Sequence, residues 1–147
     1  MRRSGLLDQY VDSTHNTLKL WRAAYFELMT GHDISPALVG PLFLLHHNQP
    51  LTASRMAKDM LVTKGAVAQF IDSLQQLGYI ERQPDPHDRR VSYITLTDRG
   101  QQKVAELLEV RKTLFQSMAT ELSDEELEQA VHINNKVIAA LSRKAKK

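Results

Sequence analysis

Residues 51–100 read LTASRMAKDMLVTKGAVAQFIDSLQQLGYIERQPDPHDRRVSYITLTDRG, and this stretch decides the fold. Two helical patterns, at 52–60 and 63–77, are separated by only two residues. Two strand-like runs, 79–82 and 91–96, follow and enclose a polar tip. The order of helix, tight turn, helix and hairpin predicts a winged helix-turn-helix, a fold that places its second helix in a groove of DNA.

The second helix of this pair carries the candidate reading surface. Its apolar residues recur at helical spacing and predict one buried face, and Thr63 is a good N-cap ahead of them. The opposite face is small or hydrogen-bonding, which suits a helix that approaches base edges and phosphates. The same composition also fits an ordinary solvated face. The candidate contacts on this helix and the one before it are Arg55, Thr63, Lys64, Gly65, Ala68, Gln69 and Ser73.

The hairpin tip, DPHDRR, adds two cations to this surface. It places Arg89 and Arg90 at the start of the returning strand, while Pro84 and Pro86 restrict the loop backbone. Arginines on a protruding hairpin can reach phosphates or a narrow minor groove beside a helix lodged in the major groove. We expect Asp88 to hold one guanidinium in place. The alternative is a solvated turn in which Asp88 merely offsets an arginine.

Residues 52–100 resemble the DNA-binding core of the MarR family of bacterial transcriptional regulators. The resemblance is carried by LTASRMAKDM, VTKGAVAQFIDSLQQLGYIER and DPHDRRVSYITLTDRG, and its most specific part is Asp88-x-Arg90 followed by Leu96-Thr97-x-x-Gly100. It implies a homodimer on a pseudo-palindromic operator in double-stranded DNA, usually a repressor that a small ligand or oxidation releases. It maps the family's wing arginine to Arg90.

The recognition helix departs from the family pattern at several positions. Ala66 and Ala68 stand where family members often carry Ser or Thr, and Gln69 and Ser73 stand near a position that is often basic. These changes remove possible hydrogen bonds and favour apolar contact with thymine methyl groups, so the operator sequence stays open. They also support an alternative function, a winged-helix protein-interaction or ligand-binding module without specific DNA binding.

The flanking segments predict a mainly α-helical chain with a small β-hairpin wing. We expect one domain over residues 1–147, with the winged core at about 51–100 between dimerisation helices at about 6–29 and 101–143. Apolar residues in the first helix step by three and four as in a coiled-coil seam, which requires a partner helix in the same chain or in a second subunit. A buried helix before the core should kink or restart at Pro41, and Ser123 with Glu126 forms a capping box.

Composition and charge exclude several classes of protein. The chain has 147 residues, a formal net charge of +2 and no cysteine, which rules out disulfides, thiolate metal sites and thiol-based redox sensing. Residues 51–103 hold 8 basic and 6 acidic side chains, so the positive excess falls in the proposed DNA-binding part. There is no apolar run of the roughly 20 residues that cross a bilayer and no signal-peptide core, so we expect a cytoplasmic protein without membrane contact.

Catalytic, cofactor and metal sites find little support in the sequence. No nucleophile motif or phosphate-binding glycine loop occurs, so we expect neither an enzyme nor a cofactor. His46 and His47 are adjacent, and on a helix their side chains point about 100° apart, which argues against a shared metal ion. The resemblance implies a pocket for a small effector between the dimer helices and the DNA-binding lobe, although aromatic residues of this kind more often form plain core. Its candidate lining residues are Trp21, Tyr25, Phe43, His47 and Phe115.

Overall fold

The computed structural model describes residues 2–145, which are mainly helical with a small antiparallel sheet, as predicted. The chain divides into two compact units with the boundary between Arg111 and Lys112. The elements in order are α1 (Arg2–Leu28), a 3₁₀ helix (Pro36–Leu38), α2 (Val39–Asn48), β1 (Leu51–Thr52), α3 (Ala53–Met60), α4 (Lys64–Gln76), β2 (Ile80–Pro84), β3 (Ser92–Leu96), α5 (Asp98–Glu121) and α6 (Asp124–Ala145).

Helix α1 begins four residues earlier than the sequence pattern suggested and buries none of its residues within the chain. Its apolar side chains therefore remain at the surface, although Tyr25 packs against the core with part of its ring. A single chain leaves a large apolar area of α1 in water, which is unusual for a monomeric protein. The exposed apolar residues of α1 are Leu6, Leu7, Val11, Leu18, Leu20, Trp21 and Phe26.

The segment before the winged core restarts as an α-helix at Val39, two residues before Pro41, rather than kinking in mid-helix. The Ser35 hydroxyl accepts a hydrogen bond of 3.2 Å from the Ala37 N–H and caps a short 3₁₀ helix. Helix α2 then starts at Val39, so Pro41 lies in its first turn, where a missing N–H breaks no helical hydrogen bond. Leu42 and Leu45 are fully buried, which confirms the predicted central helix.

The helix-turn-helix is built by two threonine caps. The Thr52 hydroxyl accepts from the Arg55 N–H at 3.2 Å, and the Thr63 hydroxyl accepts from the Ala66 N–H at 3.1 Å. Between the helices, Leu61 takes a left-handed conformation with φ 56°, and the link is three residues rather than two. The predicted apolar face of α4 is confirmed. Its buried members are Val67, Ile71 and Leu74.

The wing is the hairpin of β2 and β3, which pair antiparallel from Ile80↔Leu96 to Pro84↔Ser92. The sequence predicted both strands, although β2 starts one residue later and extends two residues further than expected. A third strand, β1, pairs Leu51 with Ile94 on the other side of β3, giving the order β1-β3-β2. The sheet thereby joins the start of α3 to the wing.

The start of α5 packs tightly on the end of the helix-turn-helix. The Thr97 hydroxyl accepts from the Gly100 N–H at 3.0 Å and donates to the Gly78 carbonyl at 2.6 Å, so the predicted Thr97 cap is confirmed. A Cβ atom at Gly100 would lie 2.0 Å from the Tyr79 carbonyl oxygen. Only glycine permits this approach, and the packing fixes where α5 leaves the winged core.

The second unit contains the remainder of α5 and all of α6. The capping box is confirmed: the Ser123 N–H donates to the Glu126 carboxylate at 2.8 Å, and the Glu126 N–H donates to the Ser123 hydroxyl at 3.2 Å. Between residues 2 and 145, no helix is both long and apolar enough to span a bilayer. Helix α6 also presents apolar residues to water, namely Val131, Ile133, Ile138 and Leu141.

Candidate nucleic-acid interface

The face of α4 opposite its buried stripe is polar and open. At 100° per residue, the spacing of Gly65, Gln69, Asp72 and Gln76 places them along the middle of this face, and all four are exposed. A Cβ at Gly65 would meet nothing closer than the Thr63 hydroxyl, at 3.9 Å, so the approach to the start of the helix is unobstructed. This face has the width and hydrogen-bonding groups needed to enter a major groove.

The other candidates on the helix pair lie around this face. Lys64 and Ala68 are exposed, and Ser73 is half-buried at its side. Thr63 uses its hydroxyl oxygen to cap α4, which leaves the hydroxyl proton able to donate. Arg55 lies on α3, where its Nε donates to both carboxylate oxygens of Asp59, at 2.9 and 2.8 Å.

The wing tip is ordered by two aspartates. The Asp85 carboxylate accepts from the backbone N–H groups of His87 and Asp88, at 2.7 and 2.9 Å, and these bonds lower the pKa of Asp85. The Asp88 carboxylate receives the Arg90 guanidinium through Nε at 3.1 Å and Nη2 at 3.2 Å, and it also accepts from the Arg90 backbone N–H. The guanidinium is the first cause that lowers the pKa of Asp88.

The structure therefore places Asp88 against one wing arginine and displays both arginines. The Arg90 side chain is 90% exposed even in its ion pair, and Arg89 beside it is also exposed. Both cations lie at the hairpin tip, between the end of β2 and the start of β3. Such a tip suits contact with phosphates or with the floor of a minor groove.

Sequence reasoning missed Arg82, which joins the wing to α4. Its guanidinium forms an ion pair with Asp72 on the open face of the helix. Arg82 also lines a cleft of about 380 Å³ between the start of α3, α4 and the wing, together with Ile71 and Arg90. A contact across two elements leaves no spacing pattern in the sequence. The sequence signal that could have found Arg82 is the strand that directly follows α4, because such a strand must run beside the helix.

The effector candidates are brought together only in part. The Arg111 guanidinium lies 5.2 Å from the centre of the Phe43 ring, and its charge also acts on Tyr25. Burial raises the pKa of Tyr25, and its hydroxyl has no hydrogen-bond partner in the described part of the chain. His47 is exposed and its ring lies 5.1 Å from that of His46. Trp21 is 38% exposed, and Phe115 is half-buried in the second unit.

A second charged group, here called the Lys103 cluster, consists of Asp33, Tyr79, Arg99, Lys103 and Glu106. Lys103 Nζ lies 2.8 Å from the Asp33 carboxylate and 2.6 Å from that of Glu106. The buried Tyr79 hydroxyl donates to Asp33 at 2.5 Å, and the Arg99 and Lys103 cations lie over the Tyr79 ring. The cluster ties the loop after α1 to the end of the helix-turn-helix and to α5.

A metal centre has no support in the described residues. Over residues 2–145, no three His, Asp or Glu side chains gather closely enough to hold an ion.

Comparisons with known proteins point in one direction. The MarR family model matches residues 34–92. MdtR, an HTH-type transcriptional repressor of Bacillus subtilis (strain 168), is 35% identical over 114 residues, which cover 78% of this chain and 74% of that protein. The crystal structure of the YusO protein from Bacillus subtilis has a TM-score of 0.68 and 31% identity, covering 93% of this chain and 97% of the other. MepR of S. aureus, solved as a DNA complex, has a TM-score of 0.79 and 23% identity over 89% of this chain and 97% of its own, which is a likeness of fold.

Proposed function

The chain belongs to the MarR family of DNA-binding transcriptional regulators, and we propose that two copies of it bind a pseudo-palindromic operator and repress transcription there. The observation that carries this proposal is the pairing of an open, polar α4 face with a wing that displays Arg89 and Arg90. The proposed action is binding alone, without catalysis, and it takes place in the cytoplasm, where a bacterial regulator meets its DNA.

In the proposed complex, α4 enters the major groove and the wing reaches the adjacent minor groove. Gly65 and Ala68 allow the helix close approach, and Gln69 presents a donor and an acceptor to base edges. The remaining side chains bind the phosphate backbone and set the register of the protein on the duplex. These are Arg55, Thr63, Lys64, Ser73, Arg89 and Arg90.

The homodimer is supported by apolar surface that a single chain leaves open. Helix α1 buries no residue, and Leu20 and Phe26 on it are each 67% exposed. Helix α6 exposes Ile138 and Leu141 to a similar extent. We propose that a second copy covers each of these helices. A twofold pair of recognition helices about 34–36 Å apart matches successive turns of a duplex.

The proposed effector site centres on Tyr25 and Phe43. The Tyr25 hydroxyl, which has no hydrogen-bond partner within residues 2–145, and the nearby Arg111 cation suit a small molecule with an aromatic ring and an acceptor group. Trp21 and His47 stay predictions for the same site, and Phe115 stays a prediction from the sequence alone. A thermal-shift screen of small phenolic compounds tests it, with Tyr25→Phe as the matched variant. Equal shifts for the two proteins would remove Tyr25 from the site.

The central experiment is selection of duplexes from a random library by the purified full-length protein. The expected result is enrichment of a pseudo-palindrome whose half-sites are one helical turn apart, with a dimer in sedimentation at the concentration used. Recovery of no preferred duplex, or binding by a monomer, would contradict the proposed function. It would favour the winged-helix interaction module, which the alanines at 66 and 68 and the small positive excess support.

A further inference from the structure

The candidate interface neutralises its own arginines. Three of them each hold an aspartate, and the side chains of these aspartates are between 24% and 64% exposed. In the free protein, these carboxylates therefore reduce the positive electrostatic potential of the surface that should attract DNA. The three pairs are Arg55 with Asp59, Arg82 with Asp72, and Arg90 with Asp88.

Of the three aspartates, Asp72 is the one that lies on the recognition helix, and its side chain is the most exposed. It lies along the middle of the open α4 face with Gln69, where any groove-reading side chain must lie. The only other charged residue of α4 is Lys64, so the helix carries no net charge. Because the chain has Gln69 and Ser73 rather than basic residues here, the arginine supplied by β2 becomes the main cation beside the helix.

The Arg82–Asp72 pair is open enough to exchange. The Asp72 side chain is 64% exposed and that of Arg82 is 40% exposed, so water screens their attraction. Carboxylate and phosphate oxygens accept from a guanidinium in the same two-pronged geometry. A DNA phosphate arriving at the cleft that Arg82 and Arg90 line can therefore replace the carboxylate.

We propose that Asp72 and Asp59 are built-in competitors of DNA phosphate, which hold Arg82 and Arg55 in exchangeable ion pairs and so weaken sequence-independent binding. The inference rests on the proposed DNA-binding function. Asp88 is set apart because it also accepts the Arg90 backbone N–H and so shapes the wing, whereas within residues 2–145 the hydrogen bonds of Asp72 and Asp59 are with the side chains of their arginines. Competition matters because backbone charge supplies essentially all binding to non-operator DNA.

The test measures binding of Asp72→Asn to a duplex selected by the wild-type protein and to a shuffled duplex of the same composition, over a salt titration. Freeing one arginine should tighten binding to the shuffled duplex by about threefold and steepen the log–log salt slope by up to about 0.9. Glu81→Gln is the matched control, because it adds the same charge on β2 and no arginine pair of Glu81 is seen in residues 2–145.

A double-mutant comparison separates the effect of releasing an arginine from the effect of removing one negative charge. In an Arg82→Gln background the Asp72→Asn effect should shrink to that of Glu81→Gln, because no guanidinium remains to be released. Asp59→Asn should repeat the pattern through Arg55. Both substitutions are on the surface, and a thermal unfolding curve matched to wild type confirms that the fold is intact.

Two results would overturn the inference. One is an Asp72→Asn variant with the wild-type salt slope and affinity, which would mean that Arg82 is not withheld from DNA. The other is weaker binding to both duplexes, which would mean that Asp72 presents Arg82 to DNA instead of withholding it. Failure of the proposed function would look different, since the wild-type protein would then select no duplex at all.

Discussion

The Lys103 cluster and the arginine pairs of the candidate interface are both built from ion pairs, but their different burial gives these pairs opposite roles. The Lys103 side chain is 11% exposed and holds two carboxylates, whereas the Arg90 side chain is 90% exposed and holds one. Burial makes a lost partner costly, so the first arrangement fixes structure. Exposure makes partners interchangeable, so the second arrangement leaves its cations available to a ligand.

The pKa values of Lys103 and Asp33 agree with a structural role for the Lys103 cluster. Burial alone would lower the pKa of Lys103, but hydrogen bonds with Asp33 and Glu106 reverse this and the pKa is raised above its ordinary value. The Lys103 and Tyr79 hydrogen bonds lower the pKa of Asp33 to about 2. Lys103 and Asp33 therefore keep their charges throughout the physiological range, and the cluster does not act as a switch there.

The largest effect should come from adding a side chain at Gly100, whose backbone packs against Tyr79 of the Lys103 cluster. Gly100→Ala would push a methyl group to 2.0 Å from the Tyr79 carbonyl oxygen, so α5 must move, at a cost of roughly 3 kcal/mol or more in the free energy of unfolding. Urea unfolding measures this. Gly65→Ala, with open space at its Cβ, should change stability by less than about 1 kcal/mol. Equal effects at the two glycines would contradict the close packing.

On the exposed side, Arg90→Ala should weaken binding to every duplex alike. The loss of one phosphate or groove contact should cost about tenfold in affinity and flatten the log–log salt slope by about one. A salt titration with selected and shuffled duplexes measures both. Arg143→Ala, in the last turn of α6, removes the same charge and should leave binding unchanged. An Arg90 variant with wild-type affinity and slope would remove the wing from the interface.

A smaller effect, on the pH dependence of stability, should come from Asp33 in the Lys103 cluster. Asp33 has a folded pKa of about 2, below the ordinary value of 3.8, so its contribution is complete above about pH 4 and is lost as the pH falls towards 2. Asp33→Asn should therefore destabilise the protein at neutral pH by roughly 1 kcal/mol, because the half-exposed carboxylate is screened by water.

Chemical denaturation from pH 7 to pH 2 checks the Asp33 prediction. The difference between wild type and variant should narrow as the pH approaches 2, where the wild-type carboxyl also takes up a proton. Glu81→Gln on the exposed side of β2 removes the same charge away from the proposed dimer helices and should track wild type throughout. A constant difference at all pH values would place the effect of Asp33 outside its ionisation.

The smallest change in overall affinity should come from Gln69→Ala, because a base-reading side chain contributes preference rather than attraction. Binding to a shuffled duplex should change by less than about twofold, while the preferred sequence in a library selection changes at one position of each half-site. Gln76→Ala, further along the same face, is the control. An unchanged preferred sequence for the Gln69 variant would show that another group reads that base pair.

The amino-acid sequence by itself determined the features that depend on near neighbours. The caps at Thr52, Thr63 and Thr97 bond to N–H groups three residues away, and the Ser123 box has the same reach. The buried stripe of α4 follows from a helical repeat of 3.6 residues. These interactions were predictable because both partners lie within one turn of helix. The family resemblance followed from the same stretch.

Only the tertiary structure decided which distant residues meet. Arg82 and Asp72 are ten positions apart, Tyr79 and Asp33 are 46 apart, and strand β1 exists only because β3 returns beside it. The contact of Arg111 on α5 with the Phe43 ring on α2 likewise joins residues that are far apart in the sequence. Such contacts carry no periodic signal, since their geometry depends on how whole elements pack. They also decide which cations are bound tightly within the protein and which can exchange with DNA.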